Sequence, residues 1–132
     1  MKVSLYYSGK HRSRPANEMA AEYEKRLGRY CRFEMREIKD ESAAPSKALR
    51  VVLDPDGESW TSQELARFLE IAQHDVSFFI GGADGFTKEF RASADKLLSL
   101  SKMTLPHELA RVVLAEQIYR GFAIMRGHPY PR

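Results

Sequence analysis

Val76-Ser77-Phe78-Phe79-Ile80 is a continuous, mostly apolar run that ends abruptly at Gly81-Gly82. Successive side chains of a strand point to opposite faces, so a strand of this kind needs apolar cover on both sides. The remaining pattern supplies that cover. "KVSLYYS" (Lys2 to Ser8), "RFEMREI" and "LRVVL" (Leu49 to Leu53) read as further strands, the last stopped by the turn-rich "DPDG". Between them, Ala16 to Tyr30 carries Met19, Ala20, Tyr23, Leu27 and Tyr30 near helical spacing, with Pro15 as the first helical residue. Thr61 and Glu64 form a capping box ahead of "SQELARFLEIAQ". A short helix over Thr87 to Lys96 precedes the strand-like "LLSLS", and Pro106 opens a final helix to about Met125, stopped by Gly127. Strands alternating with helices predict an α/β fold: a mostly parallel sheet flanked by helices on both faces.

At 132 residues, of which 43% are apolar, the chain suits a single packed domain over residues 1–132. One cysteine, Cys31, excludes an intramolecular disulfide framework and fits a reducing compartment. The N-terminus lacks a signal-peptide layout, and Leu109 to Met125 is interrupted by Arg111, Glu116 and Arg120, so a cytoplasmic, non-membrane protein is expected. With four scattered His and one Cys, no metal site is expected. Charge is segregated. Residues 1–50 carry twelve Lys/Arg against seven Asp/Glu, residues 51–101 four against nine, and residues 102–132 five against two. Basic ends that meet in the fold, or across a dimer, would make a face suited to a polyanion, although charge alone favours an ordinary solvated surface.

Three segments could carry chemistry. The glycines of "FFIGGADGF" allow close approach to a ligand, and equally a tight turn; the run is neither G-x-G-x-x-G nor a P-loop. "SLSKMTLP" is apolar yet irregular. It could sandwich a flat heteroaromatic ring while its backbone reads the ring edges, or simply pack under the final helix. Both follow strand ends, and such loops form ligand crevices in open α/β sheets. The final helix is apolar around most of its circumference, which suits burial on the sheet at one side and on a second subunit at another. Arg111, Glu116 and Arg120 on it are then paired or aimed into a site, with Arg111 also compatible with an exposed rim. The tail "HPYPR" offers an imidazole, a stackable ring and a guanidinium for an RNA base and its phosphate, although spacing alone favours a disordered tail. His11 and His74 read as solvated, and Cys31 lacks the context of a nucleophile.

Taken together and in order, "SFFIGGADGF", "LSLSKMTLPHELARVVLAEQIYRGFAI" and "HPY" resemble the bacterial ribosomal large-subunit methyltransferases that modify N3 of a pseudouridine in 23S rRNA. These belong to the SPOUT, or α/β-knot, class. The resemblance is dense from Leu49 to Tyr130 and looser over the first forty residues. It implies a C-terminal deep trefoil knot, S-adenosyl-L-methionine held bent within it, a homodimer formed through the last helix, and the assembled 70S ribosome as substrate. Carried over by position, it implies cofactor contacts from Leu53, Gly81, Gly82, Ser101, Lys102, Met103, Thr104, Leu105 and Pro106. It implies substrate positioning and catalysis by His128, Tyr130 and Arg132; the group that accepts the N3 proton is left open, with His128 one candidate and Glu116 a more distant one. Lys10, Arg12 and Arg14 are candidate RNA contacts.

The chain departs from the family in two places. Pro131 stands where a second His is usual, and only "KDESAAPSKA" joins the second and third strands, where the family has a basic loop and a helix. The alternatives are a SPOUT enzyme for another RNA, a non-catalytic ribosome-associated knotted dimer and, more distantly, a flavodoxin-like nucleotide binder.

Overall fold

The computed structural model describes residues 1–45 and 47–130. Five strands, β1 (Lys2–Ser8), β2 (Arg32–Ile38), β3 (Leu49–Ser59), β4 (Val76–Ile80) and β5 (Lys96–Ser99), form one sheet in the order β2-β1-β4-β3-β5. Every pairing is parallel. Four helices accompany them: α1 (Arg14–Leu27), α2 (Ser62–Ile71), α3 (Lys88–Ala92) and α4 (His107–Met125).

The period-2 alternation of the strands divides the core. Val3, Leu5, Val51, Val76, Phe78, Ile80 and Leu98 pack with Leu27 of α1, Leu65 and Leu69 of α2, and Leu114, Ile118 and Phe122 of α4. Their neighbours Tyr6, Val52 and Phe79 point the other way and pack with Ile38 and Phe90 of α3. All five residues of β4 are buried, as the apolar run requires. Right-handed crossovers account for this sidedness. The α1 and α2 connections each move the chain one strand in the same direction along the sheet, whereas α3 moves it the opposite way, to the other face.

The abbreviated link after β2 also crosses toward that second face. It forms a 3-10 turn at Glu41–Ala43 rather than a helix. Ala44 packs against the second cluster, and Glu41 Oε1 accepts from the Thr87 backbone N–H at 3.0 Å, tying the short link to the cap of α3.

Several expected boundaries move. Ser13 caps α1, its hydroxyl accepting from Ala16 N, so Arg14 rather than Pro15 is the first helical residue, and the helix ends at Leu27 rather than Tyr30. Helix α3 ends at Ala92, and Lys96 belongs to β5, because Asp95 N donates to the Arg50 carbonyl and leads the chain into the sheet. Most consequentially, "DPDG" does not end β3. Leu98 of β5 pairs with Leu53 and again with Glu58, so residues 54–57 make an excursion between two stretches of one strand. Asp54 Oδ1 closes that excursion by accepting from Asp56 N at 2.8 Å. Gly57 then passes so near β5 that a Cβ there would lie 2.6 Å from the Leu97 carbonyl.

Candidate functional site

The C-terminal ends of β3, β4 and β5 open onto one cleft of about 710 Å³. All nine residues named as cofactor contacts line it: Leu53, Gly81, Gly82 and Ser101 through Pro106. The strand termini explain the assembly. Parallel neighbours end at the same edge, so loops distant in sequence meet there.

The glycine segment is a turn and a cleft wall at once. Gly85 N donates to the Gly82 carbonyl at 3.0 Å, and Gly85 takes φ +70°. A Cβ on Gly81 would sit 3.0 Å from Gly85 Cα, so a larger residue there would press on the turn. The loop after β5 is held by its serines: Ser99 Oγ donates to the Ser101 carbonyl at 3.0 Å, and Ser101 Oγ accepts from Met103 N at 2.9 Å. Met103 is 80% exposed, so this loop does not pack its apolar side chain under α4. A large thioether facing an open cleft is available to a flat apolar ligand.

Sequence reasoning missed the charged wall. Asp54 is buried and lines the cleft with Asp56 and Arg91. Its Oδ2 accepts from Arg91 Nη1 at 3.1 Å. The available signal was an acidic residue directly following a strand end, obscured by the turn reading of "DPDG".

Histidines make a second unexpected feature. His107, first in α4, lines the cleft, and His11 packs against it. His11 is not solvated: both ring nitrogens are buried without a hydrogen-bond partner. Burial, then the charge of Arg111, hold its pKa down at about 4. Arg111 is not a rim residue either. It is 4% exposed, with its guanidinium carbon 4.5 Å from the Tyr7 ring centre and a hydrogen bond to Asn17 Oδ1.

The tail lies elsewhere. Tyr130 folds back on α4, its ring 4.8 Å from that of Tyr119 and 4.7 Å from the Arg120 guanidinium carbon. Its hydroxyl is 3.4 Å from that of Tyr23. Burial, with hydrogen bonding to Tyr23 and Glu116, pushes this phenol above its usual range, so it stays protonated and serves as a donor. Tyr119 lies twelve residues past His107, roughly 18 Å along the helix axis. Neither His128 nor Tyr130 therefore lines the cleft of its own chain. Pro131 and Arg132, the latter a candidate positioning residue, lie outside the described residues. Glu116 is bound to Arg120 at 2.7 Å.

Among the described residues, no cluster of His, Cys, Asp and Glu is placed to hold a metal ion, and no helix is long and apolar enough to cross a membrane.

Comparison with known proteins agrees with this arrangement. A family model described as "Predicted SPOUT methyltransferase" matches residues 1–131. A ribosomal RNA large subunit methyltransferase H of Solibacter usitatus is 46% identical over 139 residues, covering all of both chains. A namesake of Chromobacterium violaceum is 41% identical over 155 residues, covering 100% of this chain and 99% of its own. Among solved structures, a probable methylase family protein of Haemophilus influenzae superposes with a TM-score of 0.64 at 8% identity, covering 99% of this chain and 70% of that one. A putative Legionella pneumophila methyltransferase, solved with bound SAM, gives a TM-score of 0.55 at 15% identity, covering 91% of this chain and 66% of its own. With a match over nearly its whole length and relatives above two-fifths identity, the chain belongs to the SPOUT methyltransferase family.

Proposed function

We propose that this protein methylates ribosomal RNA, transferring a methyl group from S-adenosyl-L-methionine to N3 of a pseudouridine in 23S rRNA within the assembled 70S ribosome. The observation that carries the reading is the cleft, built from the strand-end leucine, the glycine turn and the Ser101–Pro106 loop. Two features fit the cofactor. Gly81 presents bare backbone to the wall, where a Cβ would crowd Gly85 at 3.0 Å, and Arg91 Nε is a buried donor without a partner. Relatives named ribosomal RNA large subunit methyltransferase H support the choice of RNA.

S-adenosyl-L-methionine supplies a methyl already activated by its sulfonium. The chain has to hold the cofactor, exclude water, fix the base in line and have the N3 proton removed. Leu53, Met103 and Leu105 cover the adenosine, with Ser101, Lys102, Thr104 and Pro106 shaping the backbone around it. Gly81 and Gly82 let it approach. His128 accepts the N3 proton on a ring nitrogen. Tyr130 donates to or stacks on the base, and Arg132 holds its phosphate. Lys10, Arg12 and Arg14 extend the RNA contact.

A tail about 18 Å along α4 from its own cleft serves the cleft of a second copy. Leu109, Val113, Glu116, Arg120 and Ile124 form an outward stripe at helical spacing, with Leu109 44% and Ile124 41% exposed. Two such helices crossing head to tail bury the stripe and bring each tail to the partner's His107. The knotted threading expected of this class belongs to the same reading. The double pairing of Leu98 around residues 54–57 supports it.

The test is tritiated methyl transfer to unmethylated 70S ribosomes, free 50S subunits and naked rRNA, followed by mapping of the modified base. Label at one N3-methylpseudouridine in 70S alone is expected. Label elsewhere, or none with cofactor bound, would mean a different RNA target or a lost tail function, and no label without cofactor binding would mean a non-catalytic ribosome-associated dimer.

A further inference from the structure

We propose that Arg91, held by Asp54, binds the carboxylate of the cofactor's methionine end, and so selects the amino acid form of the cofactor over its decarboxylated counterpart. The assignment rests on the cofactor reading above and extends it to a residue outside the expected contact set.

The geometry comes from the two faces of the sheet. The Ser101–Pro106 loop leads into α4, whose side chains share the first core cluster. Arg91 lies on α3, whose Phe90 belongs to the cluster on the opposite face. The cleft therefore runs over the sheet edge from one side to the other. A ligand with its adenosine in the loop could lay its methionine end over the edge, where α3 lies within the same cleft. There it meets a guanidinium already oriented: Nη1 is bound to Asp54 at 3.1 Å, and Asp54 is itself braced by Asp56 N at 2.8 Å.

Charge argues the same way. Asp54 is 5% exposed, and a buried carboxylate is retained only with a partner. Arg91 supplies it through Nη1 and keeps donors to spare on the outer end of its guanidinium, since Asp54 is its one hydrogen-bond partner among the described residues and the side chain is 41% exposed. Guanidinium suits a carboxylate because its N–H groups form a planar fork. Lys102, the other full cation of the cleft wall, lies on the adenosine loop and is exposed. One competing carboxylate site exists: the N-terminus of α4, where Pro106 provides no side-chain cap.

Calorimetric titration of the full-length protein with S-adenosyl-L-methionine and with decarboxylated S-adenosylmethionine decides the matter without RNA or turnover. The unsubstituted protein should bind the carboxylated form roughly ten- to a hundredfold more tightly, the usual weight of a charged hydrogen bond. Arg91→Met should remove that ratio, whatever the unpaired Asp54 does to overall affinity, and Arg91→Lys, which keeps a cation beside Asp54, should restore part of it. A purely structural Arg91 would weaken both ligands by the same factor and leave the ratio unchanged. Equal binding of the two ligands by the unsubstituted protein would overturn the assignment. So would an Arg91→Met protein that keeps the preference, which would place the carboxylate at α4. Binding of neither ligand would remove the cofactor reading itself, and the assignment with it.

Discussion

The rings of His11 and His107 meet edge to face, with centroids 5.1 Å apart, at the rim of the cleft formed by the strand ends. Tyr7 tilts against the other side of His11 at 4.4 Å, and Arg111 lies beneath Tyr7. Protonating His11 here would set a cation against Arg111 and His107, with only Glu108 opposing.

The stability consequence follows from a folded-state pKa of about 4, below the ordinary value of 6.5. Between those values the unfolded chain binds more protons than the folded one, so stability falls as pH drops. The contribution is complete above about pH 6.5 and is lost progressively down to about pH 4. Partial solvent access limits it to on the order of 1 kcal/mol. Urea titrations at pH 7.5 and pH 4.5 should show His11→Leu losing less stability over this interval than the unsubstituted protein. Equal losses would remove His11 as a cause.

Gly57 crosses β5 where a Cβ would meet the Leu97 carbonyl carbon and oxygen at 2.6 Å. Neither is the movable end of a side chain. Gly57→Ala should therefore cost about 3 kcal/mol, at the upper end of overpacking effects, and lower the denaturation midpoint accordingly. A midpoint unchanged within error would show that the excursion can shift away from β5.

Ile124 ends the outward stripe of α4 and is 41% exposed in the single chain. In the proposed dimer, Ile124→Glu would bury a charge without a partner. Sedimentation equilibrium should show the substituted protein as a monomer at concentrations where the parent is a dimer. Methyl transfer should fall with it, since each tail then loses the partner's cleft, whereas cofactor binding should change little.

Cys31 packs beside the core, and burial pushes its thiol up to about 11, against a smaller lowering from the N-terminal amine and Arg126. At pH 7.5 about one thiol in three thousand is ionised. Modification by a disulfide reagent should be slow in the native protein and fast in urea. Rapid native labelling would mean that the α1–β2 junction opens readily.

The strands were legible because their rule is local. Val76 to Ile80 needed two covered faces, and α3 provides the second; β1 and β2 send alternate side chains to the two faces, Val3, Leu5, Phe33 and Met35 to one and Tyr6 and Ile38 to the other. The capping box of Thr61 and Glu64 forms as its spacing requires, each side chain accepting from the other's backbone N–H. The cleft segments could also be named in advance, since loops that follow parallel strands share an edge.

What stayed hidden depends on residues far apart in sequence. "DPDG" has the composition of a terminating turn, and only the second pairing with Leu98 makes it an excursion within β3. Asp54 finds Arg91 thirty-seven positions later, and Arg111 finds Asn17 ninety-four positions earlier. His11 reads as solvated among Lys10, Arg12 and Ser13 until α4 packs over it. By itself, then, the sequence determined the elements, their apolar faces and the loops that meet at the sheet edge, because turn chemistry and side-chain periodicity act over a few residues. The tertiary structure decided which charges are buried, which are paired and where the tail lies, because those depend on the order in which the strands are laid side by side.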